Sequence, residues 1–403
     1  MTGARVIVTD AQERAVLASL RSLHACGFHV TAVATAKSAP GLWSRSADRR
    51  FVIADARDSI DEFVTGLDRI VGEGRYDVML AGTDASLFAI SRHRDRLAAN
   101  VCLGLPSAEA VEAAFDRGCV AQAADRAGLE PPESRVCDRV EDALEAADQF
   151  GFPVLVKPLH TVLEVDGAAC RWASRVSVDA DAVRSAVRLI GRCVVQRHVT
   201  GPVISVGAVA ADGKLLASVV SRYVRTWPVE GGNVSFSETI APPADLTERV
   251  QALAADLQWR GIFELELIAL ENGDFAAIDF NPRAYGSMAL AVAAGAPLPA
   301  LWCQWLLGTR ADFPRARVGA RYRWEDADLR HLAQCLWGGD VRGALSAAAP
   351  RRDVTHAYFR AGDPFPAVVR SFQVALLMRQ RRRERRAQFG ARESSAGHPN
   401  ALL

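Results

Sequence analysis

Lysine is scarce in this chain of 403 residues: only Lys37, Lys157 and Lys214 stand among 48 basic residues. The other basic residues are arginines, so a lysine at a chemically sensitive position needs an explanation. The basic residues nearly balance 47 acidic ones, which leaves a net charge of +1. That balance argues against bulk binding of nucleic acid or another polyanion. We therefore expect no nucleic-acid partner.

Several targeting and reactivity signals are also missing. No apolar run reaches the roughly 18 residues of a membrane span, and the opening MTGARVIVTD lacks the layout of a secretory signal. The eight cysteines include no CxxC motif, which favours reduced thiols over a disulfide framework or a zinc site. The histidines show no metal-ligand spacing, and no serine or cysteine nucleophile signature is present. These absences predict a cytoplasmic protein without a side-chain nucleophile.

The first part of the chain alternates strand-like and helix-like patterns, which predicts a parallel, Rossmann-like sheet. The predicted strands cover residues 5–10, 28–34, 76–81 and 101–105, with helices over 11–26 and 85–98. The turn at 9–12 (TDAQ) contains no glycine, so a dinucleotide fingerprint is absent and a nicotinamide or flavin oxidoreductase is disfavoured. Residues 83–86 (TDAS) are either substrate contacts or a helix N-cap.

The remaining chain divides into a mixed region and a helical one. Helices are predicted over 107–128, 139–150, 179–190 and 244–258, and a strand over 152–158. Strands dominate from about 170 to 283, and the chain ends in an arginine-rich helix and a polar tail. We predict a Rossmann-like domain at 1–110, a second domain at 111–310 with a lid at about 152–200, and a mostly helical segment at 311–403 with a disordered basic tail.

Residues 261–287 carry the clearest chemical signal. Asn272-Gly273 lies between two strand-like runs and predicts a hairpin with a two-residue loop. In that register Glu266 faces Asp279, and Glu264 faces Asn281. Because side chains alternate along a strand, these four lie on one side of the ribbon. The other side, toward a core, is formed by Leu265, Leu267, Ile278 and Phe280.

Facing carboxylates repel each other, and a hard cation is the usual remedy. Oxygen ligands without histidine or cysteine suit Mg²⁺, which needs few protein ligands when phosphates supply the rest. Two other interpretations stay open. The hairpin face could be exposed and bind nothing, or the register could be shifted by one residue, which would separate the facing pairs.

Further motifs occur in a fixed order before the hairpin. Residues 152–158 (FPVLVKP) form a strand with a lysine, 194–201 (VVQRHVTG) a strand ending in glycine, and 222–238 a long arm. With the hairpin ending DFNPR, this ordered set resembles the ATP-grasp superfamily. Its carboxylate–amine ligase branch, together with carbamoyl-phosphate synthase, provides the nearest resemblance. The similarity covers roughly residues 5–310.

The resemblance implies an α/β ATP-grasp fold with an α+β lid, behind the Rossmann-like domain and before the helical segment. It implies an ATP- and Mg²⁺-dependent ligase that joins a carboxylate to an amine through an acyl phosphate, releasing ADP and phosphate. Two Mg²⁺ ions are expected, with Mn²⁺ as a substitute. The expected partners are a small carboxylate and an amine, with an amino acid as the favoured class, and a homodimer is left open.

The same resemblance implies roles for individual residues. The catalytic residues would be Arg283, at the transferring phosphate or the acyl phosphate, and Arg225 on the arm. Arg117 stands where the family often has the lysine of an Asp-Lys pair. The expected nucleotide-binding residues are Lys157, Arg117, Gln196, Arg197, His198 and Val199, the last three through their backbone. The expected metal ligands are Glu266, Asp279 and Asn281.

Three departures from the family pattern keep other functions open. Residues 160–177 contain only Gly167, although this lid loop is normally glycine-rich. Residues 202–204 (PVI) stand where an acidic residue for the ribose is usual, and Glu264 adds a second glutamate to the metal-site strand. The alternatives are another ATP-grasp reaction, such as carboxylation or thioester formation, and a non-catalytic nucleotide-binding module.

Overall fold

The structure is a computed structural model that describes residues 3–229, 231–309 and 315–396, with only the backbone described for 381–396. Three sheets carry the architecture, and a two-stranded hairpin lies beside them. The mixed α/β fold with an N-terminal parallel sheet and antiparallel sheets behind it confirms the predicted fold class.

The N-terminal sheet is parallel, in the order β3-β2-β1-β4-β5. Its elements are β1 (Arg5–Val8), α1 (Arg14–Ala25), β2 (His29–Ala34), β3 (Arg49–Val52), α2 (Ile60–Glu73), β4 (Val78–Leu80), α3 (Asp84–Arg92), α4 (Arg94–Ala98) and β5 (Cys102–Leu103). The sequence predicted the alternation but missed β3 and α2. Strand β3 lies at the edge of the sheet and is mostly exposed, so it lacks the apolar run of a buried parallel strand.

A small antiparallel sheet, in the order β10-β7-β11-β6, follows. Helices α7 and α8 pack on it around a separate core that includes Val156 and Val195. The elements of this part are α5 (Ala108–Phe115), α6 (Arg117–Arg126), β6 (Ser134–Cys137), α7 (Val140–Phe150), β7 (Val154–Pro158), β8 (Leu163–Val165), β9 (Ala168–Cys170), β10 (Arg175–Ser177), α8 (Ala180–Ile190) and β11 (Cys193–Arg197). The small sheet therefore begins upstream of residue 152, where we placed the start of the lid.

The single helix predicted over 107–128 is wrong, because the helix breaks at Asp116. This residue has φ −85° and ψ 114°, outside the helical region. Its side chain accepts hydrogen bonds from the backbone N–H groups of Gly118 and Cys119, and so caps α6. The break places Arg117 at the first position of α6.

The large sheet has seven strands in the order β16-β15-β12-β13-β14-β17-β18. Its strands are β12 (Val203–Ala211), β13 (Lys214–Trp227), β14 (Asn233–Thr239), β15 (Gly261–Ala269), β16 (Phe275–Asn281), β17 (Arg321–Arg323) and β18 (Val354–His356). Helix α9 (Leu246–Asp256) contributes Leu246, Val250 and Leu253 to the core that also contains Phe263 and Leu265.

The C-terminal part is mostly helical, as predicted, but it also supplies β17 and β18 to the large sheet. Its helices are α10 (Met288–Ala293), α11 (Leu298–Leu306), α12 (Glu325–Trp337), α13 (Val341–Ala348) and α14 (Phe365–Ala396). The predicted basic helix is part of α14, and the end of the predicted disordered tail, residues 397–403, lies outside the described residues. Within the described ranges, no helix is both long and apolar enough to cross a membrane.

Candidate active site

The hairpin of β15 and β16 has the facing pairs that the sequence predicted. Glu266 pairs with Asp279, and Glu264 pairs with Asn281. The predicted two-residue loop is wrong, however. The backbone N–H of Leu270 donates to the carbonyl of Asp274 at 2.9 Å, so three residues form the turn. The pairing near the turn is therefore offset by one residue from the prediction.

An irregularity at Ile278 restores the predicted register. Leu267 pairs with Ala277, whereas Glu266 pairs with Asp279, so Ile278 is the additional residue of a bulge. The expectation that Ile278 faces the core is not met, because its side chain is half-buried and lines a cleft. Leu265, Leu267 and Phe280 do lie in the core.

Lys157 reaches this bulge from the small sheet. It lies on β7, its Nζ donates to the carbonyl oxygen of Ile278 at 3.0 Å, and the residue is only 7% exposed. Burial and the nearby charge of Arg117 lower the pKa of Lys157 to about 8. The lysine is therefore buried at the junction of two sheets.

The glutamates are held by neutral donors. The hydroxyl of Tyr223 on β13 donates to Glu266 at 3.0 Å, and that of Ser205 on β12 donates to Glu264 at 2.6 Å. Burial, followed by the charges of Glu264 and Asp279, raises the pKa of Glu266 to about 8. Burial also raises the pKa of Glu264. Negative charge at the two glutamates is thus poorly compensated by the protein.

Asp279 and Asn281 complete the acidic face. Burial acts to raise the pKa of Asp279, but the charges of Arg117 and Lys157 outweigh it and lower the pKa. Arg117 donates from Nη1 to the Asp279 carboxylate at 2.8 Å. The amide nitrogen of Asn281 donates to Glu264 at 3.3 Å. The amide oxygen of Asn281 accepts a hydrogen bond from Nη2 of Arg283 at 3.4 Å.

These residues fit a magnesium ion that shares its coordination with phosphates. Within the described ranges, no group of three His, Cys, Asp or Glu side chains forms a ready-made metal site. The hairpin instead offers two carboxylates and an amide oxygen, a donor set suited to a hard cation. Burial and then the charges of Glu264 and Asp279 raise the pKa of Glu266, and a bound cation would stabilise its carboxylate form.

A cleft that is partly open to solvent lies between the small sheet and the metal-site hairpin. Lys157, Arg117 and Asp279 line one part of it, and Gln196 and Val194 another. Gln196 is 8% exposed, and its Oε1 has no hydrogen-bond partner among the described residues. A buried, unpaired amide oxygen in a cleft is a candidate acceptor for a ligand N–H group.

Arg197, at the end of β11, is bound by its N–H and its side chain to other parts of the protein. Its backbone N–H donates to the carbonyl of Glu133 at 2.8 Å, and its guanidinium donates to the Glu133 carboxylate and the Phe150 carbonyl. The backbone N–H of Arg197 is therefore not available to a nucleotide. His198 and Val199 follow the end of the strand and are half-buried.

Arg283 is held by a residue that the sequence did not identify. Its Nε and Nη2 donate to the two oxygens of Asp84 at 2.7 and 3.2 Å. Asp84 is the first residue of α3, and Thr83 is the N-cap that we considered as one alternative for residues 83–86. The chain separates the pair by 199 positions, so no local pattern could have revealed it.

Arg225 lies elsewhere, in a buried ion pair with the C-terminal part. Its Nε and Nη2 donate to the carboxylate of Asp328 on α12 at 2.7 and 2.9 Å. Tyr223 pairs with Ser237, but Arg225 pairs with Phe236, so an irregularity between them breaks the alternation of the strand. Because Ser237 and Phe236 are adjacent and point to opposite faces, Arg225 shares the face away from Tyr223 and Glu266. The structure therefore does not bring Arg225 to the hairpin carboxylates.

Comparison with known proteins finds a family model and several solved structures that are similar to parts of this chain. A family model described as ATP-grasp in the biosynthetic pathway with Ter operon matches residues 191–327, which include the hinge strand and the hairpin. Residues 191–327 are thus similar to an ATP-grasp family, as the resemblance in the sequence implied.

Individual relatives are distant. The carbamoyl phosphate synthase large chain of Rubrobacter xylanophilus is 28% identical over 223 residues, which is 51% of this chain and 20% of that protein. The chain thus matches about a fifth of that relative's length. N5-carboxyaminoimidazole synthetase from Staphylococcus aureus superposes with a TM-score of 0.60 at 13% identity, covering 77% of this chain and 79% of the other. L-amino acid ligase from Bacillus licheniformis gives 0.56 at 13% identity, covering 76% and 75%.

Biotin carboxylase from Campylobacter jejuni also shares the fold, with a TM-score of 0.59 at 17% identity over 79% of this chain and 74% of the other. These identities are low enough that the likeness concerns the fold alone. The structural relatives include ligases and carboxylases, so the reaction must be argued from the residues of this chain.

Proposed function

We propose that the chain is an ATP- and Mg²⁺-dependent ligase that joins a carboxylate to an amine and releases ADP and phosphate. The carboxylate would first be phosphorylated, because phosphate is a much better leaving group than hydroxide. The amine would then attack the acyl phosphate and displace phosphate. No side-chain nucleophile is needed for this sequence of steps.

Lys157 and Arg117 are the proposed phosphate contacts. They line the same cleft, and the phosphates would replace the present partners of their N–H groups, the Ile278 carbonyl and the Asp279 carboxylate. Gln196 and the backbone of His198 and Val199 would bind the adenine edge. The unpaired Oε1 of Gln196 supports this placement, since an exocyclic amino group can donate to it.

Glu266, Asp279 and Asn281 would hold the magnesium ions. Bound there, Mg²⁺ would offset the negative charge that develops during phosphoryl transfer. The residues of this chain would keep the carboxylates facing one another, through the β15–β16 register, and Tyr223 would orient Glu266. Arg283 would direct its guanidinium toward the acyl phosphate. Arg225 has no role in this proposal, because it pairs with Asp328 on the face of the sheet away from Glu266.

One observation carries the proposal: Asp279, which faces Glu266 across the hairpin, lines the same cleft as Lys157 and Arg117. The direct test is ATP turnover with Mg²⁺ and pooled amines and carboxylic acids, with the nucleotide products resolved. ADP and phosphate whose formation requires both pools would support the ligase. A product that forms with bicarbonate and one amine instead would favour ATP-dependent carboxylation, which the carboxylase relatives keep as the second candidate.

A further inference from the structure

Asp84 joins three parts of the molecule at one carboxylate. It belongs to α3 of the N-terminal unit, it binds Arg283 at the end of the metal-site strand, and it lies 3.5 Å from Nε of Arg171. Arg171 directly follows β9 in the lid hairpin, which we define as residues 163–170. Two guanidiniums from different structural units thus converge on a residue that is only 3% exposed.

The lid hairpin is already closed on the N-terminal unit at this point. The backbone N–H of Ala169 donates to the carbonyl of Ala56, and that of Ile60 donates to the carbonyl of Gly167, both at 2.8 Å. The side chain of Ala169 is fully buried in the core that also contains Phe63 and Phe88. Asp84 therefore lies beside the contact through which the lid is held.

The carboxylate of Asp84 is not required to cap its helix. Thr83 occupies the N-cap, and its side chain accepts from the backbone N–H of Ser86 at 3.2 Å while the Ser86 hydroxyl accepts from the Thr83 N–H. A buried carboxylate that does not cap a helix lowers the stability of the fold unless another charged group pairs with it. The two arginines are its charged partners, and one of them is the arginine proposed to meet the acyl phosphate.

We propose that Asp84 is a positioning residue that couples lid closure to the orientation of Arg283. Both oxygens of Asp84 fix the guanidinium plane of Arg283, and one of them also holds Arg171. Four of the five N–H groups of Arg283 have acceptors in Asp84, Asn281 and the Ala284 carbonyl. Closing the lid thus brings Arg171 to the Asp84 carboxylate, which also orients Arg283. The role of Arg283 in this inference rests on the proposed function, whereas the coupling to the lid does not.

The first experiment needs no turnover. Hydrogen exchange of the full-length protein is compared for the wild type, Asp84→Asn and Arg171→Met. We expect amides of the lid hairpin, Ala169 among them, to exchange severalfold faster in both variants, and the double variant to add little. Arg171 is half-exposed, so its substitution leaves folding intact and keeps the test usable if Asp84→Asn is unstable.

A matched control is Asp68→Asn. Asp68 belongs to the same N-terminal unit and also pairs with an arginine, Arg96, at 2.9 Å, but on the surface. In Asp68→Asn, we expect the amides of the lid hairpin to exchange at the wild-type rate. Unchanged lid exchange in Arg171→Met, or faster exchange spread evenly over the whole chain in Asp84→Asn, would overturn the proposal.

The second experiment measures the consequence for catalysis. With substrates that turn over, Asp84→Asn should lower kcat by about tenfold to a hundredfold, the loss expected for a misplaced catalytic group. The KM for ATP should change little, because the substitution leaves the proposed phosphate contacts in place. An unchanged kcat would overturn the positioning role. Absence of turnover in the wild type would count against the proposed ligase, while the exchange result would still decide the coupling.

Discussion

Lys157 donates a hydrogen bond from Nζ to the carbonyl oxygen of Ile278, at 3.0 Å. Ile278 is the additional residue of the bulge in β16, so the contact joins the lid strand to the one irregular position of the metal-site hairpin. The bulge thus restores the facing carboxylates and also presents a backbone acceptor to the lysine. The pairing of the carboxylates and the contact of Lys157 thus both depend on the bulge at Ile278.

Removing the hairpin carboxylates should abolish ATP use. We expect Glu266→Ala combined with Asp279→Ala to show no Mg²⁺-dependent ATP turnover, because two of the three oxygen ligands are gone. The fold should persist, since the substitution also relieves repulsion between buried carboxylates. Turnover and circular dichroism check the two expectations. Glu271→Ala, in the exposed turn of the same hairpin, is the control, and retained turnover in the double variant would eliminate the metal-site assignment.

Replacing Lys157 should weaken ATP binding without lowering the stability of the fold. Lys157→Met removes a cation that would form charge-assisted hydrogen bonds with phosphate, so ATP should bind at least about tenfold more weakly. The melting temperature should stay the same or rise, because a buried charge is removed. Titration calorimetry and thermal unfolding measure the two effects. Lys214→Met, at an exposed lysine, should alter neither, and an unchanged ATP affinity in Lys157→Met would count against its role.

The raised pKa of Glu266 predicts a pH dependence of stability. Its folded-state pKa, about 8, lies above the ordinary value of 4.5, so the folded protein holds this proton more tightly than the unfolded chain. The corresponding stability is present below about pH 4.5 and is lost as the pH rises toward 8. Without Mg²⁺, the wild type should therefore lose more stability between pH 5 and 8 than Glu266→Gln. Thermal unfolding at several pH values tests this, and parallel curves for the two proteins would contradict it.

Arg225 should behave as a structural residue. Its ion pair with Asp328 is buried on both sides, and removing one partner of such a pair costs about 3 kcal/mol or more. Arg225→Met should lower the melting temperature and leave ATP affinity unchanged at temperatures where the variant is folded. Arg222→Met, at an exposed position three residues earlier on the strand, should have little effect on either. A stable Arg225→Met variant that has lost turnover would restore the catalytic interpretation.

The sequence predicted the features that depend on local periodicity. The pairs Glu266–Asp279 and Glu264–Asn281 were predicted from a two-residue loop, and they occur because the bulge at Ile278 offsets the wider turn. Lys157 after an apolar strand marked the lid. The sequence did not predict the three-residue turn. There the side chain of Asn272 accepts from the backbone N–H of Asp274 at 3.0 Å, which favours a wider loop than the Asn-Gly pair alone suggests.

The features that the sequence missed depend on long-range contacts or on bulges. The partner of Arg283 comes from another structural unit, and only tertiary structure brings Asp84 to it. The orientation of Arg225 follows from an irregularity in β13, and no glycine or proline in the strand indicates that irregularity in the sequence. The bond from the Arg197 N–H to the carbonyl of Glu133, just before β6, is likewise a contact that no local pattern predicts.

The decisive experiment is ATP turnover with Mg²⁺ in the presence of pooled amino acids and small carboxylic acids, with the nucleotide products separated. We expect ADP and phosphate, formed only when an amine and a carboxylate are both present, with an amide as the third product. Formation of AMP and pyrophosphate would contradict the acyl-phosphate mechanism.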